Sequence, residues 1–192
     1  MIQPIDLGVC GGYAWDGDRE RVAIALPGAL LGGMPSLAFP LYALAARGWS
    51  AVQVWDERRD RTGDATAWVT TRAEAAIAAA GDPETIVVVA KSLSTRAAGL
   101  VAERGWPAIW LTPLLDDAEC VEGLRRRRAP ALLVGGTSDP TWDGDLAREL
   151  SDDVLELAHA DHGLGTGSGP RPLLANLTRI VERVDAFEAA LA

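Results

Sequence analysis

Cysteine is scarce in this chain. Cys10 and Cys120 are its only two in 192 residues, too few and too far apart for a disulfide framework. Unbridged thiols fit a reducing compartment, so a cytoplasmic location is expected. Histidine is equally sparse at two, and no Cys/His cluster has the spacing of a metal site. Positive charge is short as well: 18 Lys and Arg face 27 Asp and Glu, for a net −9. That deficit argues against a nucleic-acid or anionic-membrane partner, since both need a positive field. The one basic run, Arg125 to Arg128, precedes Ala129-Pro130, where a helix would end and cations suit its dipole. Aromatics make up only 6%, against 48% hydrophobic residues in all, so the core must rest on Val, Leu, Ile and Ala.

Two further features are missing. The first ten residues, MIQPIDLGVC, have no basic start and no long apolar stretch, so a secretory signal is not expected. No charge occurs between Arg21 and Arg47, a span long enough to cross a bilayer. Pro27, Gly28, Gly32, Gly33, Pro35 and Pro40 break it, and strand, loop and helix are the better reading. Gly28 to Gly33 has P-loop spacing, but Met34-Pro35 follows where Lys and Ser/Thr are required. No G-x-G-x-x-G follows a strand, and no cofactor is expected.

What is present is an alternation. RVAIALPG (21–28), SAVQVWDE (50–57), ETIVVVAKS (84–92), PAIWLTPLL (107–115), PALLVGGTSD (130–139) and DVLELAHAD (153–161) read as strands, with His159 inside the last. Between them, 36–48, 66–81 with Gly81 as C-cap, 93–104, 116–128 and 144–150 read as helices. From Arg171 onward, Leu173, Leu174, Leu177, Ile180, Val181, Val184 and Phe187 form one apolar stripe at helical period. Strands apolar on both faces, alternating with helices, predict a three-layer α/β/α sandwich with a mostly parallel sheet. With no internal repeat or linker, one domain over 1–192 is expected.

In such a sheet, ligands bind beyond the carboxyl ends of the strands. Those ends carry Pro27-Gly28-Ala29-Leu30, Trp55-Asp56, Lys91-Ser92-Leu93, Thr112-Pro113, Thr137-Ser138-Asp139 and Asp161-His162. A serine, an acid and a histidine thus follow in chain order, as they do when a nucleophile elbow is the first member of a triad. Each has a plainer reading. Ser92 would also serve as a helix N-cap, Asp139-Pro140 as a turn, and His162 as a surface residue of a Gly-rich loop.

From about Val22 to the C-terminal helix the chain resembles a small α/β-hydrolase. The elbow G-x-S-x-G would fall on Ala90-Lys91-Ser92-Leu93-Ser94, the acid loop on GGTSDPTWD and the histidine loop on HADHGLG. The resemblance implies Ser92 as nucleophile, Asp139 as acid and His162 as base, with Asp116 as the runner-up acid. It implies an oxyanion hole from the backbone N–H of Leu93 and of Ala29 or Leu30. Both elbow glycines are replaced, by Ala90 and Ser94, the next smallest choices. Lys91 is expected to turn toward solvent, with contact to an anionic substrate as the alternative. Trp55 and Trp142, with Trp110, stand near strand ends and are candidates for an aromatic wall around substrate.

No long insertion offers a cap domain, which leaves the site open, covered by its own loops, or covered by a second copy in a homodimer. The implied reaction is hydrolysis of a small carboxylic ester or thioester, a small-molecule acyl substrate, through an acyl-enzyme. The alternative is a non-catalytic binding or interaction protein of the same fold with a degenerate elbow.

Overall fold

The computed structural model describes residues 1–29, 34–56 and 63–191. Among these residues, eight strands form one sheet: β1 (Ile2–Asp6), β2 (Gly11–Trp15), β3 (Asp18–Leu26), β4 (Trp49–Trp55), β5 (Thr85–Lys91), β6 (Ala108–Leu111), β7 (Ala131–Gly136) and β8 (Asp153–Leu157). Six α-helices cover it: α1 (Pro35–Ala46), α2 (Ala65–Ala80), α3 (Ala98–Arg104), α4 (Ala118–Arg125), α5 (Gly144–Leu150) and α6 (Pro170–Ala189). The order across the sheet is β1-β2-β4-β3-β5-β6-β7-β8. Every neighbouring pair from β4 to β8 is parallel.

The period-two alternation of the strands sorts the core into two layers. Val87 and Val89 of β5, with Ala23, Ala25, Ile109, Leu111, Leu132 and Val134, face α1 and α6. Val88 and Ala90, with Val22, Ile24, Leu26, Trp110 and Leu133, face α2 to α5. This is the three-layer sandwich expected from the sequence. No cap domain interrupts the described residues. Among them, no helix is long and apolar enough to cross a membrane, and Cys10 and Cys120 are buried and not joined in a disulfide.

Three helices start where an aspartate caps them. Asp64 accepts the Ala67 N–H, Asp117 those of Glu119 and Cys120, and Asp143 those of Asp145 and Leu146. Gly81, at φ 81°, closes α2 as expected. Arg125 is the last residue of α4, and Arg127 Nε donates to the Leu150 carbonyl, so the basic run closes a helix.

The structure departs from the sequence reading in several places. β1 and β2 were not anticipated. They pair antiparallel with each other and, through β2, with β4. β1 lies exposed at the edge and contains Pro4, which an edge strand tolerates. β6 stops at Leu111 rather than running to 115, because Thr112 turns the chain at φ 45°. β8 ends at Leu157, so His159 lies beyond it, exposed in a turn at φ 59°. The segment after β5 opens as a 3-10 helix, Ser92–Ala97, before α3 begins.

The chain leaves β3 for β4 on one side and returns to β5 on the other. The carboxyl ends of β3 and β5 therefore meet at the point where the winding reverses, the crevice in which open α/β sheets bind ligands. Pro27-Gly28-Ala29 and Ser92 stand there.

Candidate active site

β5 is extended through Lys91 (φ −120°, ψ 135°), and the next residue, Ser92, swings to φ 52°. A non-glycine residue in the left-handed region is strained and persists only where its surroundings impose it. Ser92 is not the N-cap of the helix it opens; Lys91 holds that position and makes no side-chain cap. The Ser92 hydroxyl instead lies 2.7 Å from His162 Nε2.

The replaced glycines fit this turn. Ala90 is buried in the core. Ser94 Oγ donates to the Pro27 carbonyl at 2.5 Å and ties the elbow to the loop after β3. Gly28 lies close against the turn, and a Cβ there would come within 3.3 Å of the Ser92 Cβ.

His162 Nδ1 is 2.8 Å from Asp139 Oδ2. Oδ1 of the same carboxylate accepts two donors from Thr141, its N–H and its Oγ–H, both at 2.9 Å. The Asp139 side chain is fully buried while that of His162 is 39% exposed. Burial pushes the Asp139 carboxyl up, and the bonds from His162 and Thr141 outweigh it, holding the carboxyl below its usual range. The backbone around Asp139 is indeed a turn, with Trp142 N–H donating to its carbonyl at 3.1 Å, and the turn aims the carboxylate at the histidine. Asp116 is exposed. Asp161 accepts the N–H groups of Gly163 and Gly165 and shapes the histidine loop.

The loops carrying Asp139 and His162 are laced together behind the site. Ser138 N–H donates to the Ala160 carbonyl at 3.0 Å, and His159 N–H to Thr137 Oγ1 at 2.7 Å. A Cβ on Gly136 would stand 2.2 Å from the Ala160 carbonyl oxygen. Gly136→Ala is therefore expected to destabilise the protein by about 1–3 kcal/mol. Thermal unfolding checks this, at roughly 2–4 °C of melting midpoint per kcal/mol for a chain this size. An unchanged midpoint would show that the two loops do not depend on this close approach.

A cavity of about 410 Å³ opens in front of Ser92, lined among the described residues by Gly28, Ala29, Met34, Lys91, Ser92, His162 and Gly163. Ala29 lines this cavity, and Leu93 is the second residue of the 3-10 turn, whose first N–H groups lack intrahelical acceptors. Leu30, the other donor considered, lies outside the described residues. No group of three or more His, Cys, Asp or Glu among the described residues could hold a metal ion.

Several side chains stand elsewhere than the sequence implied. Trp55 lines a separate cleft with Asp6, Gly8 and Gly11 and meets Tyr13 edge-on at 5.2 Å, because β2 pairs alongside the end of β4. Trp142 packs over Gly135 and donates from Nε1 to Glu156 at 2.9 Å. Trp110 is buried in the core. The three tryptophans thus form no wall around this cavity.

Lys91 does not turn toward solvent. It is buried, and Nζ donates to Thr112 Oγ1 at 2.6 Å and to the His162 carbonyl at 2.8 Å. Its direction was readable in principle. Position 91 continues the alternation of Val87 and Val89, which points toward the α1 and α6 face. Thr112, Thr141 and Ser94 carried no such signal.

No family model matches the sequence, and no curated protein does. Solved structures do resemble it. An alpha-beta serine hydrolase homologue from Coxiella burnetii has a TM-score of 0.72 at 13% identity, with 97% of this chain and 96% of that one covered. Est1E from Butyrivibrio proteoclasticus, bound to ferulic acid, gives 0.75 at 12% identity over 98% of both chains. The esterase domain of a Rhodothermus marinus protein gives 0.67 at 11% identity, over 97% of this chain and 96% of that one. The chain has the α/β-hydrolase fold, in its form without a cap domain.

Proposed function

We propose that this protein is a serine hydrolase cleaving a small carboxylic ester or thioester through a Ser92–His162–Asp139 triad and an acyl-enzyme. The observation that carries the proposal is the strained Ser92, whose hydroxyl is 2.7 Å from an imidazole that Asp139 holds at 2.8 Å from the other side. Neighbours of the same fold named as a serine hydrolase homologue and an esterase domain, and one holding ferulic acid, support it.

A serine hydroxyl is a weak nucleophile until a neutral imidazole accepts its proton. Ser92 Oγ attacks the acyl carbonyl as its proton passes to His162 Nε2, and buried Asp139 stabilises the resulting imidazolium. The carbonyl oxygen becomes an oxyanion facing the Leu93 N–H and the Ala29 backbone. One such donor is typically worth about 2.7–4 kcal/mol of barrier. The tetrahedral intermediate collapses, His162 returns the proton to the departing alcohol or thiol, and water repeats the sequence on the acyl-serine. Nucleophile, base and orienting acid all come from the chain, so these steps call on no cofactor. The cavity of about 410 Å³ beside Gly28, Ala29 and Met34 suits a small acyl group.

Labelling with a fluorophosphonate probe tests the proposal. Ser92 is expected to be modified in the folded protein, with the adduct mapped by mass spectrometry to the peptide carrying it. A folded protein that leaves Ser92 unlabelled would be a binding module built on the same fold.

A further inference from the structure

Lys91 is the only lysine among the chain's 18 Lys and Arg residues, and it sits next to Ser92. Its aliphatic stem borders the cavity, with Cγ 3.7 Å from the place of a Cβ on Gly28. The ammonium is tied behind that wall, to the His162 carbonyl at 2.8 Å and Thr112 Oγ1 at 2.6 Å. We infer that Lys91 is a positioning residue whose ammonium clamps the His162 loop to the end of β6 and so fixes the imidazole against Ser92. The inference rests on the serine-hydrolase reading above.

The connection is short. The residue peptide-bonded to the nucleophile holds the base's own carbonyl, while the His162 side chain is otherwise 39% exposed. Thr112 is part of the device. It is fully buried at φ 45°, an outlier conformation for a β-branched residue. Its N–H donates to the Val134 carbonyl at 2.7 Å, and its hydroxyl faces Nζ. Strain of this kind persists where surrounding contacts over-determine it. Core filling alone would not select the charge, because methionine offers a comparable stem without the cost of burying an ammonium.

The charged groups acting on Lys91 are the carboxylates of Asp139 and Asp161, and the backbone it holds belongs to His162. Burial pushes the ammonium down to about 8, against the pull of those two carboxylates. Below that pH the clamp is charge-assisted, roughly twice as strong as between neutral groups. Above it the amine is neutral and the clamp weakens. Stability runs the other way. The folded pKa lies below the unfolded one, so between about 8 and the ordinary lysine value the unfolded chain binds more protons. This group's contribution to stability therefore rises with pH in that window. Activity and this contribution move in opposite directions, which general alkaline unfolding would not produce.

The test uses the full chain labelled with ε-¹³C-lysine, which gives one lysine signal. That signal is expected to titrate near pH 8, together with an alkaline fall in wild-type kcat on an activated ester. Lys91→Met is expected to lose about ten- to a hundredfold in kcat at pH 7, with KM little changed and no step near pH 8. Thr112→Val, which keeps the ammonium and removes one partner, is expected to lose kcat to a smaller extent and decides the matter if the first variant does not fold. Wild-type kcat in Lys91→Met, survival of the pH 8 step in that variant, or wild-type kcat in Thr112→Val would overturn the clamp. Fluorophosphonate labelling of wild-type Ser92 separates the two failures. Without labelling the hydrolase reading falls; with labelling and an undiminished variant, only the clamp falls.

Discussion

Ser92→Ala is expected to lower kcat on an activated ester by roughly 10⁴–10⁶-fold while leaving the protein folded. The size follows from the geometry. The Ser92 hydroxyl is the group within 2.7 Å of His162 Nε2, and removing it leaves the base with no proton to accept and the acyl group with no covalent partner. What remains is the oxyanion site and substrate binding, which alone leave a modest residual rate over water. His162→Ala is expected to fall by a similar factor, because the members of a triad act as a unit and their losses do not add. Alanine does not relieve the backbone at φ 52°, so the melting midpoint should change little. Ser92→Gly should be equally inactive yet more stable, since glycine adopts that conformation without strain. Steady-state turnover, pre-steady-state bursts and thermal unfolding of the three variants check these expectations together. Turnover undiminished in Ser92→Ala or His162→Ala would falsify the assigned roles.

Much of this arrangement was legible in the sequence, for identifiable reasons. From Val22 of β3 through β7 the strand residues are largely buried on both faces, so they read as continuous apolar runs, and the helices between them carry caps at Asp117, Asp143 and Gly81. The edge hairpin was not legible. IQPID is largely exposed and GGYAW is short and glycine-rich, so neither carries the pattern that burial imprints. Missing β2 also misplaced Trp55, whose surroundings are set by its partner in register, Gly11. Ser92, Asp139 and His162 could be expected to meet because each follows a strand and the strands are parallel, which gathers their ends. Chain order could not reveal contacts made by side chains from unrelated segments. Ser94 reaching Pro27, Thr141 holding Asp139 and Lys91 reaching His162 are such contacts. A charged residue such as Lys91 reads as solvated until the direction of its strand position is taken into account.

Asp139→Asn should be nearly as damaging as losing the nucleophile, with kcat down about 10⁴-fold, although it changes a single atom. The reason lies in how the carboxylate is divided. Oδ1 accepts the Thr141 N–H and hydroxyl, each at 2.9 Å, and Oδ2 faces His162 Nδ1 at 2.8 Å. An amide has one oxygen, and it must choose a side. The Thr141 backbone N–H cannot reverse its polarity, and an amide NH₂ placed against it would leave buried donors facing each other, at about 1–3 kcal/mol. The oxygen therefore stays with Thr141 and the NH₂ turns to His162. Nδ1 must then accept, which moves the imidazole proton to Nε2, the nitrogen facing Ser92 Oγ. A protonated Nε2 cannot take the serine proton, so the base is present, in place and in the wrong tautomer. Nitrogen NMR distinguishes the two forms, and with only two histidines in the chain a His159 variant assigns the signals. The expected result is a proton on Nδ1 in the wild type and on Nε2 in Asp139→Asn, alongside the kinetic loss. Turnover within tenfold of wild type, or a proton still on Nδ1 in the variant, would mean that something other than Asp139 sets the state of His162, and Thr141 Oγ1, 3.3 Å from Nδ1, is the group to test next.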